Sequence, residues 1–333
     1  MSGALRIAVL TEAGRGAGLG HLRRCLALSA AATELGAQAR LFVAGDMPAG
    51  LSSGSAKADL EPCGWTTSPE SALAAVDRWP ADVVVVDSYA AAAELLERLG
   101  ARVLCLVLVD DLADRPTPVD VVVNGGYHAG RLHYQGRPET VYLLGPRYAL
   151  LDVAFAKRPV RAAAGPVRRV LVTLGGDAPG DLLEMVVTVA RQAAPGAELD
   201  VVVGPFTTGL PVADDRIRVH RSLNSLRPLL LTVDVAVTAG GMTLYECLAA
   251  GTPIVAIAIA DNQRPNVESL GSAGLLIDGG PGLEPAIARL ATDAGLREIM
   301  SRRGREVVDG GGAGRVAREI ERIAVAGGLA GRP

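Results

Sequence analysis

The sequence predicts an α/β protein made of two doubly wound parallel-sheet domains that face each other across a cleft. Three observations carry this. Apolar runs without alternation, such as Val83-Val84-Val85-Val86, suit parallel strands covered on both faces. Helix-length segments of apolar periodicity separate them. Each half also opens the same way, strand then glycine turn then helix, at residues 6–35 and again at 169–193, the pattern of a sheet wound by crossover helices.

In the first half, residues 6–10 read as a strand, 14–20 as a glycine-rich turn and 22–35 as a helix stopped by Gly36. A strand follows at 39–44. Residues 50–67 are small and polar and read as loop. Helix 69–78, strand 81–87, helix 90–99 and strand 103–109 continue the alternation, with short strands at 119–123 and 141–144. Residues 156–167 combine Pro, Gly and charge without periodicity and read as a linker. The pattern restarts with strand 169–174, turn Gly175-Gly176-Asp177 and helix 182–193. Strand 199–203, short helix 226–231, strand 233–237, helix 243–250, strand 253–260 and a weaker strand at 275–277 come next. Helices at 283–291, 294–303 and 316–326 finish the chain. The expected domains are therefore 1–155 and 168–333, joined by 156–167.

A chain of 333 residues is long for one core, so two domains are the default. The apolar fraction of 49% and charged fraction of 21% indicate an ordinary globular protein. A net charge of −3 gives no support for a nucleic-acid surface. No apolar run approaches the roughly 18 residues of a membrane span, and no signal-like region opens the chain. A cytoplasmic protein with reduced thiols is expected. Cys25, Cys63, Cys105 and Cys247 lie far apart, and with His21, His128, His133 and His220 they offer no metal-ligand spacing. No metal or cofactor is expected.

In wound sheets, ligands bind beyond the carboxyl ends of strands. That rule gathers His21, Asp87, Asp110, Gly175-Gly176 and Gly240-Gly241 on the cleft side. His21 stands at or just before a helix N-terminus, where the dipole, with Arg23 and Arg24, disfavours a charged imidazole and leaves a base. The alternative is a histidine that only caps the helix. Gly240-Gly241-Met242-Thr243 lets the backbone approach a ligand and aims a helix N-terminus at it, which suits a diphosphate. Glu246 either closes a capping box with Thr243 or accepts from ribose hydroxyls. There is no P-loop and no G-x-G-x-x-G, so ATP hydrolysis and hydride transfer are poorly supported. Asp261-Asn262-Gln263 follows a buried strand with amides suited to sugar hydroxyls or acetamido groups.

An ordered set of motifs runs through most of the chain. It comprises Gly18-x-Gly20-His21-x-x-Arg24, Asp87-Ser88-Tyr89, Asp110-Asp111-Leu112-Ala113-Asp114-Arg115, Leu144-Gly145-Pro146-Arg147-Tyr148-Ala149-Leu150-Leu151, Gly175-Gly176-Asp177, Gly240-Gly241-x-Thr243-x-x-Glu246 and Asn262-Gln263. The set resembles the PseG family, UDP-sugar hydrolases of pseudaminic acid biosynthesis related to MurG-type glycosyltransferases of GT-B fold. The resemblance implies a GT-B-like pair of Rossmann-like domains and metal-free attack of water on a UDP-linked aminosugar. It places the base on His21 and sugar contacts on Tyr89, Asn262 and Gln263, with Gly18, Gly20, Arg24 and Asp87 on the same substrate side. Nucleotide binding falls on Gly240, Gly241, Thr243 and Glu246, joined by Met242, Gly175 and Gly176. Two segments depart from the family. Thr11-Glu12-Ala13-Gly14-Arg15 replaces an Arg-x-Asp-Ala-Ser type, and Leu150-Leu151-Asp152-Val153-Ala154-Phe155 replaces Leu-Leu-Arg-x-Glu-Phe. Both lie on the sugar side, so three readings stand: hydrolysis, transfer to a small-molecule or glycan acceptor from a UDP or dTDP donor, and an inactive nucleotide-sugar-binding protein.

Overall fold

A computed structural model describes residues 4–47, 59–157, 165–209, 214–221 and 223–329. The chain forms two compact units. One comprises Met1–Val153 with Gly311–Pro333, the other Ala154–Gly310.

The first unit runs β1 (Arg6–Ala13), α1 (Gly20–Glu34), β2 (Gln38–Gly45), β3 (Asp59–Pro62), α2 (Pro69–Arg78), β4 (Val83–Asp87), α3 (Ala93–Gly100) and β5 (Cys105–Val109). It continues through β6 (Pro116–Thr117), β7 (Val121–Asn124), β8 (Gln135–Gly136) and β9 (Val141–Leu144). Seven strands form one parallel sheet in the order β3-β2-β1-β4-β5-β7-β9, while β6 pairs with β8 apart from it. The valines of β4 are fully buried, each stabilising by about 1.5–3 kcal/mol relative to exposure. One sheet face, with Leu10, Phe42, Val86 and Leu108, packs with Trp65 and the apolar sides of α2 and α3. The Trp65 indole N–H donates to the Thr11 carbonyl at 3.0 Å, which meets the need of a buried donor.

The second unit runs β10 (Arg169–Thr173), α4 (Gly180–Ala193), β11 (Glu198–Val203), β12 (Ile217–Arg221), α5 (Arg227–Leu230), β13 (Val235–Ala239) and α6 (Thr243–Ala250). After these come β14 (Ile254–Ile257), α7 (Arg264–Ser272), β15 (Ile277–Asp278), α8 (Leu283–Thr292) and α9 (Ala294–Val307). Its six strands are parallel, in the order β12-β11-β10-β13-β14-β15. Both sheets thus start near their middle and wind outward in both directions, as the alternation of the sequence predicts.

The final helix, α10 (Gly312–Leu329), corrects the expected division. It packs on α1 and belongs to the first unit, so the second ends at Gly310 rather than at the end of the chain. Val316, Ile320 and Ala324 are buried, a stripe at helical spacing that demands an apolar partner without naming one. Two edge strands also differ from expectation. β3 lies within the segment read as loop, whose residues 50–58 fall outside the described residues. β12 has no counterpart in the predicted elements. Of the expected linker, residues 158–164 also lie outside the described residues.

Candidate active site

In the first unit, β1 leads into a glycine turn. The Gly18 N–H donates to the Gly14 carbonyl at 2.8 Å, and the Gly14 N–H returns to Gly18 at 3.1 Å. Gly14, Gly16 and Gly18 have φ of 133°, 83° and 67°, which side chains other than glycine resist. The turn delivers the chain into α1 with Leu19 as N-cap and no side-chain cap. His21 is therefore inside the first turn, buried, and does not serve as the cap.

Its ring is held by β4. Nδ1 of His21 lies 2.6 Å from Oδ1 of Asp87, the last residue of that strand and fully buried. Arg24, one turn along α1, donates from Nε to Oδ2 and from Nη2 to Oδ1 of the same carboxylate, each at 2.6 Å. The Cys25 thiol donates to Oδ2 at 3.3 Å. The remaining Arg24 arm, Nη1, reaches Oδ2 of Asp111 at 2.6 Å, and the Tyr89 hydroxyl donates to that oxygen at 3.1 Å. The Tyr89 ring stands edge-on to the His21 ring, 4.8 Å between centroids, a favourable aromatic geometry.

Burial works to raise the Asp87 pKa, but the Arg24 guanidinium and the His21 ring outweigh it and hold the carboxyl well below the usual range. Burial likewise opposes the Arg24 charge, and Asp111 and Asp87 overcome it, so the guanidinium stays protonated. Burial and the Asp87 charge push the Cys25 thiol well up, keeping it a donor. An ionised carboxylate only accepts, so Nδ1 of His21 carries the proton. Arg24 Nη2 comes within 3.1 Å of Nδ1 because both donate to one oxygen. Nε2 makes no hydrogen bond among the described residues. The pair has the base-plus-orienting-carboxylate form of nucleophile-activating centres.

Two expectations change here. Asp87 and Arg24 were expected on the substrate side. Asp87 has no exposed surface, and Arg24 has its guanidinium engaged by two carboxylates, so both position His21 instead. Gly18 and Gly20 shape the entry to α1. Tyr89 keeps partial exposure beside the imidazole. Asp111 went unremarked as a site residue in the sequence, although its motif was visible. Nothing in residue order announces that Arg24 would bridge it to Asp87.

In the second unit, Gly175-Gly176 follows β10 and Gly240-Gly241 follows β13, its neighbour. The Gly240 N–H donates to the Gln263 side-chain oxygen at 3.0 Å, and the Ile259 N–H shares that oxygen at 3.1 Å. A Cβ at Gly240 would lie 2.8 Å from Gln263 Cβ and from Val267 Cγ2, so only glycine permits this approach. Gln263 thereby ties two strand ends together, and its oxygen is not available to a sugar as expected. Asn266 extends the tie, accepting from the Tyr245 hydroxyl at 2.6 Å. Asn262 is exposed. Helix α6 starts with Met242 as N-cap and has no side-chain cap, so Thr243 and Glu246 do not form a capping box. The N–H groups of Gly241, Met242 and Thr243 make no hydrogen bond among the described residues. The Gly176 carbonyl accepts from the Phe206 N–H at 3.0 Å, while Gly175 is exposed. The second unit thus presents a half-exposed row of backbone donors at a helix N-terminus, a geometry that favours anions.

Solved structures of the same architecture include the glycosyltransferase SnogD from Streptomyces nogalater. It matches with a TM-score of 0.66 at 19% identity over 96% of this chain and 99% of that one. Acinetobacter baumannii MurG matches at 0.60 and 14% identity over 96% and 99%. The fold is GT-B. In sequence, the chain is similar to the spore coat polysaccharide biosynthesis protein SpsG of Bacillus subtilis, 28% identical over 71% of this chain and 75% of the relative. It is also similar to the Helicobacter pylori pseudaminic acid cytidylyltransferase and UDP-2,4-diacetamido-2,4,6-trideoxy-beta-L-altropyranose hydrolase. There the identity is 26% over 76% of this chain, and the match spans 45% of that protein's length. No protein-family model matches the chain. The resemblance drawn from the motifs thus reappears in these homologues. Among the described residues, no helix is long and apolar enough to cross a membrane, and no group of three or more His, Cys, Asp or Glu is placed to hold a metal ion.

Proposed function

We propose that the protein cleaves the anomeric C–O bond of a UDP-linked aminosugar and releases UDP, with water as the acceptor. The observation that carries this reading is the buried Asp87–His21 pair at 2.6 Å, in which Nε2 makes no hydrogen bond among the described residues. A relative whose name includes a UDP-sugar hydrolase supports the choice of substrate class.

In this reading Nε2 of His21 takes a proton from water as the oxygen bonds to the anomeric carbon, and the bond from that carbon to the diphosphate oxygen breaks. Asp87 stabilises the positive charge that reaches the ring. A placed general base contributes about 10²–10⁴ in rate. Charge growing on the departing diphosphate is met by the backbone donors at Gly241–Thr243, and such preorganised donors are worth about 10²–10³ each. Tyr89 and Asn262 remain the proposed sugar contacts, and Gly175, Met242 and Glu246 the companions of the diphosphate donors.

The test is product analysis with UDP-N-acetyl-aminosugars, with and without sugar or alcohol acceptors. Free sugar and UDP without acceptor are the expected products. UDP release only when an acceptor is present contradicts hydrolysis and assigns glycosyl transfer. Stabilisation by UDP without turnover of any donor identifies a binding protein. UDP at 100 times its Kd should stabilise by about 2.7 kcal/mol; no stabilisation by UDP or dTDP contradicts the nucleotide site altogether.

A further inference from the structure

The segment Asp110-Asp111-Leu112-Ala113-Asp114-Arg115 follows β5, and of it only Asp111 has entered the site described above. Three of its side chains are engaged in a definite way. Asp110, buried, accepts from the N–H groups of Leu112 at 3.1 Å and Ala113 at 3.3 Å. This bends the chain through Ala113, the only described residue other than glycine with a positive φ, 53°. Asp111 holds Arg24 and Tyr89. The bend brings Arg115 back to the neighbouring strand end. There its Nη1 donates to the Tyr89 carbonyl at 2.7 Å and its Nη2 to the Ser88 carbonyl at 3.0 Å.

We propose that Arg115 is a positioning residue for the His21 centre, gripping the Ser88–Tyr89 backbone so that the Tyr89 ring stands against the imidazole and its hydroxyl stays on Asp111. The inference rests on the reading of His21 as base. Its logic is geometric. Ser88 and Tyr89 directly follow Asp87, the carboxylate that orients His21, and α3 does not begin until Ala93. Within that connection the Ala90 N–H donates to the Ser88 hydroxyl at 2.9 Å, a local turn that does not fix the loop against the rest of the unit. The planar guanidinium fork does so, because two parallel N–H donors on consecutive carbonyls define both place and orientation. The contacts close on themselves. Arg115 holds Tyr89, Tyr89 and Arg24 share Asp111, Arg24 holds Asp87, Asp87 holds His21, and His21 meets Tyr89. A lysine in place of Arg115 retains the charge and loses the fork.

Nuclear magnetic resonance of the full chain labelled at histidine tests this without relying on turnover. The His21 ring signal is assigned by its loss in His21→Gln, and Tyr89→Ala sets the shift caused by losing the neighbouring ring. Arg115→Ala should move the His21 signal toward its Tyr89→Ala position, and Arg115→Lys should lie between Arg115→Ala and the wild type. In kinetics, Arg115→Ala should lower kcat for UDP release by about 10²-fold, the cost of a displacement of about 1 Å. It should cost nothing further in a Tyr89→Ala background, the non-additivity of residues acting through one another. A His21 signal in Arg115→Ala that coincides with the wild type overturns the proposal, as do costs that multiply in the double variant. If Arg115→Ala does not fold, Arg115→Lys decides by the same comparison. If the wild type releases UDP from no donor, the proposed function fails, and the resonance shift still settles whether Arg115 positions Tyr89.

Discussion

The Asp87 carboxylate has no exposed surface and takes its donors from three side chains of α1. A buried charge persists only when it is paired and hydrogen-bonded, which is the condition met here. Its pKa is depressed in the folded chain, so its contribution to stability is complete above the unfolded value of about 3.9. It is lost as the pH falls through the folded value, because the unfolded state then binds the proton more readily. Asp110 acts with the opposite sign, since burial raises its pKa, and a difference measurement at Asp87 separates the two. Asp87→Asn should cost about 3–5 kcal/mol at pH 7, the usual penalty for breaking a buried pair. That gap to the wild type should narrow as the pH falls below about 4. Urea unfolding at pH 7, 4 and 3 measures it; a gap that stays constant contradicts the assignment.

The glycine turn and α6 form one device, in which Gly240 lies close enough to Gln263 and Val267 that no side chain fits. Gly240→Ala should destabilise by about 1–3 kcal/mol through overpacking. It should also weaken UDP binding by about an order of magnitude, equivalent to about 1.4 kcal/mol, read by calorimetric titration. Unchanged UDP affinity contradicts a diphosphate at this helix. Much of the device was legible in the sequence. Gly240-Gly241 after an apolar run and before helix 243–250 has a physical meaning at short range, and the helix has those bounds. The tie of Gln263 to Gly240 went unforeseen because it joins two strand ends, and an amide that holds backbone looks the same in sequence as one that holds sugar. His21 was found by its place at a helix start, and its partner Asp87 by its place at a strand end. That the two touch depends on β1 lying beside β4, with Thr11 level with Asp87. Strand β12 escaped notice because Ile217 and Val219 alternate with Arg218 and His220 at a half-exposed edge, a short period-2 signal with little apolar weight. Strand β3 is shorter still.

The assignment of α10 to the first unit has a consequence for the chain as a whole. A chain ending at Gly310 should leave the α1 side of the first sheet uncovered where Val316, Ile320 and Ala324 had packed. Scanning calorimetry should then show the second unit unfolding near its usual Tm and the first at a lower one. A single unshifted transition contradicts the division at Gly310. The two units also carry separable parts of the proposed chemistry, and that separation gives the account its most direct test. UDP release from a cleaved donor and UDP affinity should be measured side by side for the wild type and His21→Ala. The account predicts a fall in kcat of about 10²–10⁴-fold, the worth of a placed base, with the Kd for UDP unchanged. Release at the wild-type rate by His21→Ala would contradict it.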